Sequence, residues 1–463
     1  MRDFIDLNQS GAAVISARLD RLPVTRAVWK LVILLSLGYF FELYDLLYTA
    51  YIAPGLVKSG MLTTTTPGLF GSTGVAGFVA ALFAGLFIGT SLAGFLADRY
   101  GRRAIFTWSL LWYVIANACM AFQDTAFGLN CWRLVAGIGI GAELVVIGAY
   151  LTELVPKELR GRAFACGQAL GFVSVPVAAF LSYWLVPQTL FGLDGWRWVV
   201  LIGCHGAVFV WWIRRALPES PRWLAGQGRL VEAEAVLSKI EQQVQAEYGA
   251  ALPGPKVVPR IPESGQFADL WRAPWRSRTI LMIVFNVFQT IGYYGFASWV
   301  PTLLIKHGIT ITTSLQYASL IALAAPIGPL LGLLIADRLE RKSVIIAMSL
   351  IILFAGLLFS QVSDMVSVIA LGVCLTLASN MLSYSYHAYQ AELFPTAIRA
   401  RAVGFVYSWG RLAAIFNAFM IAAVLKLGGV IGVFVVIGCA MLIIAAVIYR
   451  FGPRTKNLAV ELI

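Results

Sequence analysis

The sequence predicts an all-α polytopic membrane protein with twelve transmembrane helices in two pseudo-symmetric halves of six. Three observations predict it. Of 463 residues, 59% are apolar and 13% charged, with a mean hydropathy of +0.80, whereas soluble chains hold about 45–50% apolar and about 25% charged residues. Apolar runs of about 20 residues, long enough to cross about 30 Å of hydrocarbon, recur twelve times along the chain. The chain also matches itself at a constant offset of 239 residues, as internal repeats do.

Residues 1–27 form a basic, polar N-terminal segment. The apolar run that follows it is too long for a signal-peptide core, so no cleavable leader is expected. Spans follow at 28–54, 74–97, 104–122, 127–153, 162–187 and 195–216, which make the N-terminal half, 28–216. The longest polar stretch, 217–277, contains an amphipathic surface helix at Leu230–Ile240 and a Pro/Gly-containing run at 252–265, and reads as a linker. The second half, 278–450, holds spans at 278–305, 315–336, 343–361, 365–392, 401–425 and 428–450, before a tail at 451–463. With the N-terminus on the cytoplasmic side, 29 of the 35 Lys and Arg fall on that side. The positive-inside rule therefore puts both termini in the cytoplasm of a multi-pass protein of the cell inner or plasma membrane. This placement accounts for the net charge of +12 without nucleic acid; the expected partners are the lipid bilayer, a small-molecule substrate and protons, for a monomer.

The six cysteines, Cys119, Cys131, Cys166, Cys204, Cys374 and Cys439, stand singly in apolar stretches and read as small core residues rather than a disulfide framework or zinc site. HExxH, GxSxG and GxxxxGK[ST] are all missing, which leaves metal hydrolysis, nucleophilic hydrolysis and P-loop ATPase chemistry without their parts. An enzyme is not expected, nor a metal, nor a cofactor.

The repeat sets Ala97-Asp98-Arg99-Tyr100-Gly101-Arg102-Arg103 on Ala336-Asp337-Arg338-Leu339-Glu340-Arg341-Lys342. The same offset carries Ala149-Tyr150, Glu153-Leu154, Pro156, Arg160 and Arg162-Ala163 onto Ala388-Tyr389, Glu392-Leu393, Pro395, Arg399 and Arg401-Ala402. Parallel repeats place a binding site near the bilayer midplane between the halves. Gly94–Arg103 resembles the loop 2–3 signature of the major facilitator superfamily, and 333–342 its second-half copy, with Glu340 replacing the glycine. Pro218-Glu219-Ser220-Pro221-Arg222-Trp223-Leu224 resembles the mark of the sugar-porter and organic-ion-transporter branch. Tyr293-Tyr294-Gly295, with Trp299 and Pro301, is similar to helix 7 of bacterial niacin-type and synaptic vesicle protein 2-like transporters.

Each half carries an Asp at a helix end, basic residues three to five positions later, and a Glu with an Arg around the next cytoplasmic loop. The set comprises Asp98, Arg102, Arg103, Glu153 and Arg162, then Asp337, Arg341, Glu392 and Arg401. Such charges either latch the cytoplasmic side shut, with Glu153 set against Arg162 and Glu392 against Arg401, or simply anchor the topology. The resemblance favours the latch.

An ionisable residue at bilayer depth costs at least about 2.5–3.5 kcal/mol on insertion scales, so it is a functional candidate. Glu42 and Asp45 lie three apart on helix 1, near one face, where two carboxylates in low dielectric do not both ionise easily. They are the proton-carrier candidates; alternatively one of them pairs with Arg133 or sits in water at the mouth. Arg133 opens Arg133-Leu134-Val135-Ala136-Gly137-Ile138-Gly139-Ile140-Gly141, which resembles the superfamily's helix 4 motif. Its small residues serve helix approach rather than a dinucleotide. The resemblance implies that Arg133 trades partners with a helix 1 carboxylate and favours Asp45 as that acid. Glu143 is a second proton site, a substrate ligand or a protonated acid bonded within the bundle.

Arg411 has no acidic neighbour within one helical turn; an unpaired buried guanidinium suits a carboxylate. Its alternative is a pair with Glu143 or a helix 1 acid. The position also resembles the helix 11 Arg of organic-anion transporters. Gln168, Asn286, Gln289, Asn380 and Asn417 are candidate cavity amides; Tyr293, Tyr294, Tyr384 and Tyr386 either pack against lipid and core or stack on a flat ring at a polar midplane. His387 and His205 read as packing residues. Together these features lead us to expect proton-coupled uptake of a small organic monocarboxylate, aromatic or heteroaromatic and nicotinate-like, by alternating access. The alternatives are an importer of neutral sugars or polyols and an efflux carrier.

Overall fold

In hydrocarbon a backbone N–H or C=O finds no water, so each apolar run satisfies its polar groups internally as a helix. The computed structural model describes residues 2–63, 65–206, 216–255, 267–336, 339–394 and 396–455. The first half comprises α1 (Arg2–Asp20), α2 (Arg26–Lys58), α3 (Val75–Tyr100), α4 (Arg102–Ala121), α5 (Ala126–Leu154), α6 (Arg160–Leu185) and α7 (Gly195–Cys204). A two-residue turn at Phe191 and Gly192, both at positive φ, joins the short strands β1 (Thr189–Leu190) and β2 (Leu193–Asp194) ahead of α7. The linker carries α8 (Pro221–Gly226) and α9 (Leu230–Tyr248). The second half comprises α10 (Trp275–Ala297), α11 (Val300–Lys306), α12 (Ile311–Ala322), α13 (Ile327–Ala336), α14 (Arg341–Phe359), α15 (Met365–Glu392) and α16 (Thr396–Phe451).

Among the described residues, ten helical segments are long and apolar enough to cross a membrane. The last of them holds two spans, divided where Gly429 adopts φ 62°, and α7 is the described part of the sixth span, whose residues 207–215 lie outside the described chain. That makes the twelve spans. Two of them depart from the continuous helices expected at 278–305 and 315–336. The first breaks at Ser298 and Trp299, between α10 and α11, ahead of Pro301. The second breaks at 323–326, where Pro326 has no N–H to return to the preceding turn.

In the first half α3 packs along α5, and α2 along α6; in the second, α10 and α14 pack along α16. The α3–α5 seam shows what the glycine run at 137–141 does. A Cβ on Gly137 would stand 2.5 Å from the Leu82 carbonyl oxygen, and one on Gly141 2.4 Å from that of Leu86. These glycines let the two backbones touch.

The N-terminal segment is not simply a polar tail. Its α1 docks on the linker, with Arg18 bonded to Glu234 at 2.6 Å and to Glu241 at 2.6 Å, and Arg21 bonded to Glu241 at 2.7 Å. Asp20 holds Arg222 at 2.7 Å and accepts from the Lys157 amide at 2.9 Å, so α1 also ties α8 to the α5–α6 loop. The Pro218–Leu224 motif supplies the other half of this anchorage. The Glu219 carboxylate accepts from the amides of Arg102 and Arg103 at the start of α4, where a helix terminus favours negative charge. Ser220 caps α8 by accepting from the Trp223 amide at 3.1 Å, and the Trp223 indole donates to the Asp98 carbonyl at 2.9 Å.

Two predictions follow from this packing. Gly137→Leu forces α3 away from α5 and costs about 1–3 kcal/mol in overpacking, which a thermal melt of the detergent-solubilised protein will register as a lower midpoint. At Glu241, burial favours the neutral acid, but the hydrogen bonds from Arg18 and Arg21 outweigh it and hold the carboxyl below its ordinary value. A depressed folded-state value stabilises docking above the unfolded value of about 4.3 and loses that stability as pH falls through the folded one. The protection factors of amides in residues 11–20, which correct for the intrinsic pH dependence of exchange, should therefore be high at pH 7, fall as pH drops below the unfolded value of about 4.3, and be about tenfold lower at pH 7 in Glu241→Gln.

Candidate functional site

A cavity of about 780 Å³, counting the open space at its mouth, lies between the halves. The first half contributes Tyr39, Glu42, Leu43, Gln168 and Phe172 to its wall. The second contributes Asn286, Gln289, Thr290, Tyr293 and Tyr294 from α10, Ser383, Tyr386 and His387 from α15, and Tyr407 and Arg411 from α16.

Arg411 is 4% exposed. Its guanidinium donates to the Tyr294 hydroxyl at 3.0 Å and to the Tyr407 hydroxyl, lies 4.8 Å above the Tyr407 ring, and forms no hydrogen bond from Nε. Among the described residues no carboxylate pairs with it. A Cβ on Gly410 would lie 3.0 Å from the Thr290 hydroxyl oxygen, so the glycine lets α16 sit against α10 and bring Arg411 to the wall. Glu42 faces the same cavity, fully buried, and neither carboxyl oxygen makes a hydrogen bond within the protein.

The structure separates Glu42 from Asp45, although their spacing suggests a shared face. Asp45 turns into the first half, where its Oδ1 lies 3.2 Å from Arg133 Nη1 and its Oδ2 accepts from the Asn117 amide at 2.7 Å. Arg133 also donates to the Asp45 carbonyl at 2.6 Å, to the Tyr48 hydroxyl at 2.8 Å and to Thr49, and stacks 4.7 Å over the Tyr48 ring. Both Asp45 and Arg133 lie outside the cavity wall. Asn117, a polar residue in the apolar α4, went unnoticed in the sequence; an uncompensated amide in a span was the available signal. Glu143 is also off the wall, fully buried, with the Tyr113 hydroxyl as its polar neighbour.

Of the other candidates, Gln168, Asn286, Gln289 and Tyr293 line the cavity. Asn286 donates to Gln390 Oε1 at 3.1 Å. Asn380 instead lines a second, more apolar cavity with Tyr51, Phe296 and Ala322, and donates to the Ala325 carbonyl at 3.0 Å. Tyr384 and Asn417 line neither cavity. For Tyr384 the reason is helical phase: Ser383, Tyr386 and His387 set the inward face of α15, and at about 100° per residue Tyr384 falls roughly a quarter-turn from the centre of that face. His387 lies on the wall. Its Nδ1–H donates to the Ser383 carbonyl at 2.7 Å and its Nε2 accepts from the Tyr386 hydroxyl at 3.1 Å. His205 sits on an exposed face, 3.1 Å from the Leu201 carbonyl.

At the basic face the expected pairings are exchanged. Glu153 pairs with Arg102 at 3.0 Å, not with Arg162, and Asp98 pairs with Arg102 at 2.6 Å. The second half repeats this: Glu392 pairs with Arg341 at 2.7 Å, not with Arg401. Arg162 and Arg401 are exposed and form no ion pair among the described residues; Asp337 lies outside the described residues. The reason is reach: the start of α4 abuts the end of α5, whereas Arg162 points off the first turn of α6. Both pairs stay within their own half, and no described ion pair ties the two halves together at this face. At the opposite face the halves do touch, α2 against α11 and α6 against α12.

Residues 31–463 match the profile of the family described as "Sugar (and other) transporter". The chain is 33% identical over 441 residues to the putative metabolite transport protein YyaJ of Bacillus subtilis, covering 95% of each chain. It is 28% identical to the niacin transporter NiaP of Acinetobacter baylyi, over 96% of this chain and 98% of that one. Among solved structures, the xylose transporter XylE from E. coli in a partially occluded inward-open conformation superposes with a TM-score of 0.74 at 18% identity, over 94% of this chain and 100% of that one, a likeness of fold alone. Twelve spans in two repeated halves around a central cavity, with the profile match over nearly the whole chain, place the protein in the sugar (and other) transporter family of the major facilitator superfamily, as a membrane transporter of small molecules rather than an enzyme.

Proposed function

We propose that this protein is a proton-coupled symporter that takes up a small organic monocarboxylate, aromatic or heteroaromatic and nicotinate-like, by alternating access, with both termini in the cytoplasm. One observation carries the reading: Arg411 is a buried guanidinium on the cavity wall whose described partners are neutral hydroxyls rather than a carboxylate. A guanidinium stays charged at all working pH and presents a fork that matches a carboxylate. The niacin transporter among the relatives supports the same substrate chemistry.

Asp45 is the proposed proton site. Its carboxylate holds Arg133, and through it α5, against α2. A proton on Asp45 cancels the charge that Arg133 answers and loosens that seam, so protonation and helix movement are linked. Glu42 and Glu143 remain candidate acids for the same coupling. Anion and proton entering together add little net charge to a low-dielectric cavity, which lowers the cost of the loaded state. The charges Asp98, Arg102, Arg103, Glu153, Arg341 and Glu392 form the proposed cytoplasmic gate elements, each half bracing its own loop. The amides of Gln168, Asn286 and Gln289 on the same wall support a second reading, a neutral polyol substrate.

The discriminating experiment is proton influx into proteoliposomes on adding carboxylates, sugars or amines. A carboxylate should drive influx in the wild type. Arg411→Ala should lower carboxylate uptake by about tenfold or more, the worth of a charge-assisted hydrogen-bonded contact. Asp45→Asn should abolish proton influx while leaving substrate exchange across the membrane. Influx with sugars alone, or carboxylate uptake unchanged in Arg411→Ala, overturns the anion reading.

A further inference from the structure

Arg411 is not the only ionisable side chain on the cavity wall without an oppositely charged partner among the described residues. Glu42 faces it from the other half, fully buried, with neither carboxyl oxygen hydrogen-bonded within the protein, while Arg411 keeps Nε without a partner. The two groups share one cavity without forming an ion pair among the described residues. Only neutral groups meet the His387 ring, the Ser383 carbonyl 2.7 Å from Nδ1 and the Tyr386 hydroxyl 3.1 Å from Nε2, an arrangement that calls for no charge on it. Among the described wall residues the cavity therefore holds one cation and one carboxyl, on opposite halves.

Buried charges persist when something pairs with them. A plain monoanion on Arg411 satisfies the guanidinium but adds a negative group to a cavity that already holds Glu42. A molecule with a carboxylate at one end and a cationic nitrogen at the other answers both groups, one on each half. The remaining wall suits the same ligand: Tyr39, Phe172, Tyr293, Tyr294, Tyr386 and Tyr407 line it, and aromatic faces attract cations as well as flat rings. We propose that the preferred substrate is a zwitterion, an aromatic or compact carboxylate that also bears a cationic nitrogen, with Arg411 holding the carboxylate and Glu42 the cation. This rests on the carboxylate reading of Arg411 and narrows it. It also makes alternating access depend on the ligand, because the ligand bridges a first-half acid to a second-half base and draws the halves together.

A pair of isosteric probes isolates the charge. 1-Methylpyridinium-4-carboxylate and 4-methylbenzoate have the same shape and carboxylate and differ by one positive charge on the ring. Equilibrium binding of each to the purified full-length protein at pH 7.5, with 1-methylpyridinium as a cation-only control, is measured for wild type, Glu42→Gln and Arg411→Gln. The expected result is that wild type binds the zwitterion at least tenfold tighter than 4-methylbenzoate. Glu42→Gln should bring the two to parity while still binding 4-methylbenzoate, which shows its site to be folded. Equal binding of both probes by wild type, or a preference that survives in Glu42→Gln, overturns the zwitterion but leaves the carboxylate reading standing. Should Glu42→Gln fail to fold, the wild-type ratio decides alone. Carboxylate binding undiminished in Arg411→Gln, or binding of 1-methylpyridinium alone, overturns both.

Discussion

Hydrocarbon around the chain is the constraint on which everything else rests. It forces every span into a helix, and it makes each charge within a span answer to a partner or to a cavity. The five Asp, Glu and Arg side chains singled out at bilayer depth sort by that rule. Asp45 and Arg133 pair deep inside the first half, where Asn117, Tyr48, Thr49 and the Asp45 carbonyl meet their other groups, save Arg133 Nε, which bonds to no described residue. Glu42 and Arg411 face the cavity, and Glu143 lies buried behind it.

The same economy governs the fold's second requirement, that helices slide and rock without exposing backbone. Glycines on α3 and α5 allow backbone contact at Gly85, Gly137 and Gly141, where dispersion rather than the hydrophobic effect holds helices together in lipid. A seam of that kind keeps each half rigid. At the basic face, charges brace loops inside a half rather than across the pair: Arg102 with Glu153 and Arg341 with Glu392 are both 51 residues apart, one arrangement built twice. The linker and α1 follow the first half, through Glu219 on the start of α4, Trp223 on Asp98, and Asp20 on the α5–α6 loop.

This division makes the central cavity the place where the halves communicate chemically. Its first-half wall offers Glu42 and Gln168, its second-half wall Arg411 and most of the hydroxyls and amides. Around that cavity the halves pack through α3 against α16, α2 against α11 and α6 against α12.

The sequence alone determined the number of spans, the repeat, the placement of basic loops and the short list of intramembrane charges, because each is a property of local composition that the bilayer converts directly into structure. Its spacing arguments reached the wall for Arg411, Gln168, Asn286, Gln289 and Tyr293. They failed where rotation or a distant partner decides. Tyr384 and Asn417 point off the cavity, Glu42 and Asp45 part company despite being three residues apart, and Glu153 takes Arg102 rather than Arg162. The helical character of residues 2–20 was equally hidden, since its stability comes from ion pairs with Glu234 and Glu241 more than two hundred residues away. Helix rotation and long-range pairing follow from packing against neighbours, and periodicity within one helix carries no record of which neighbour it meets.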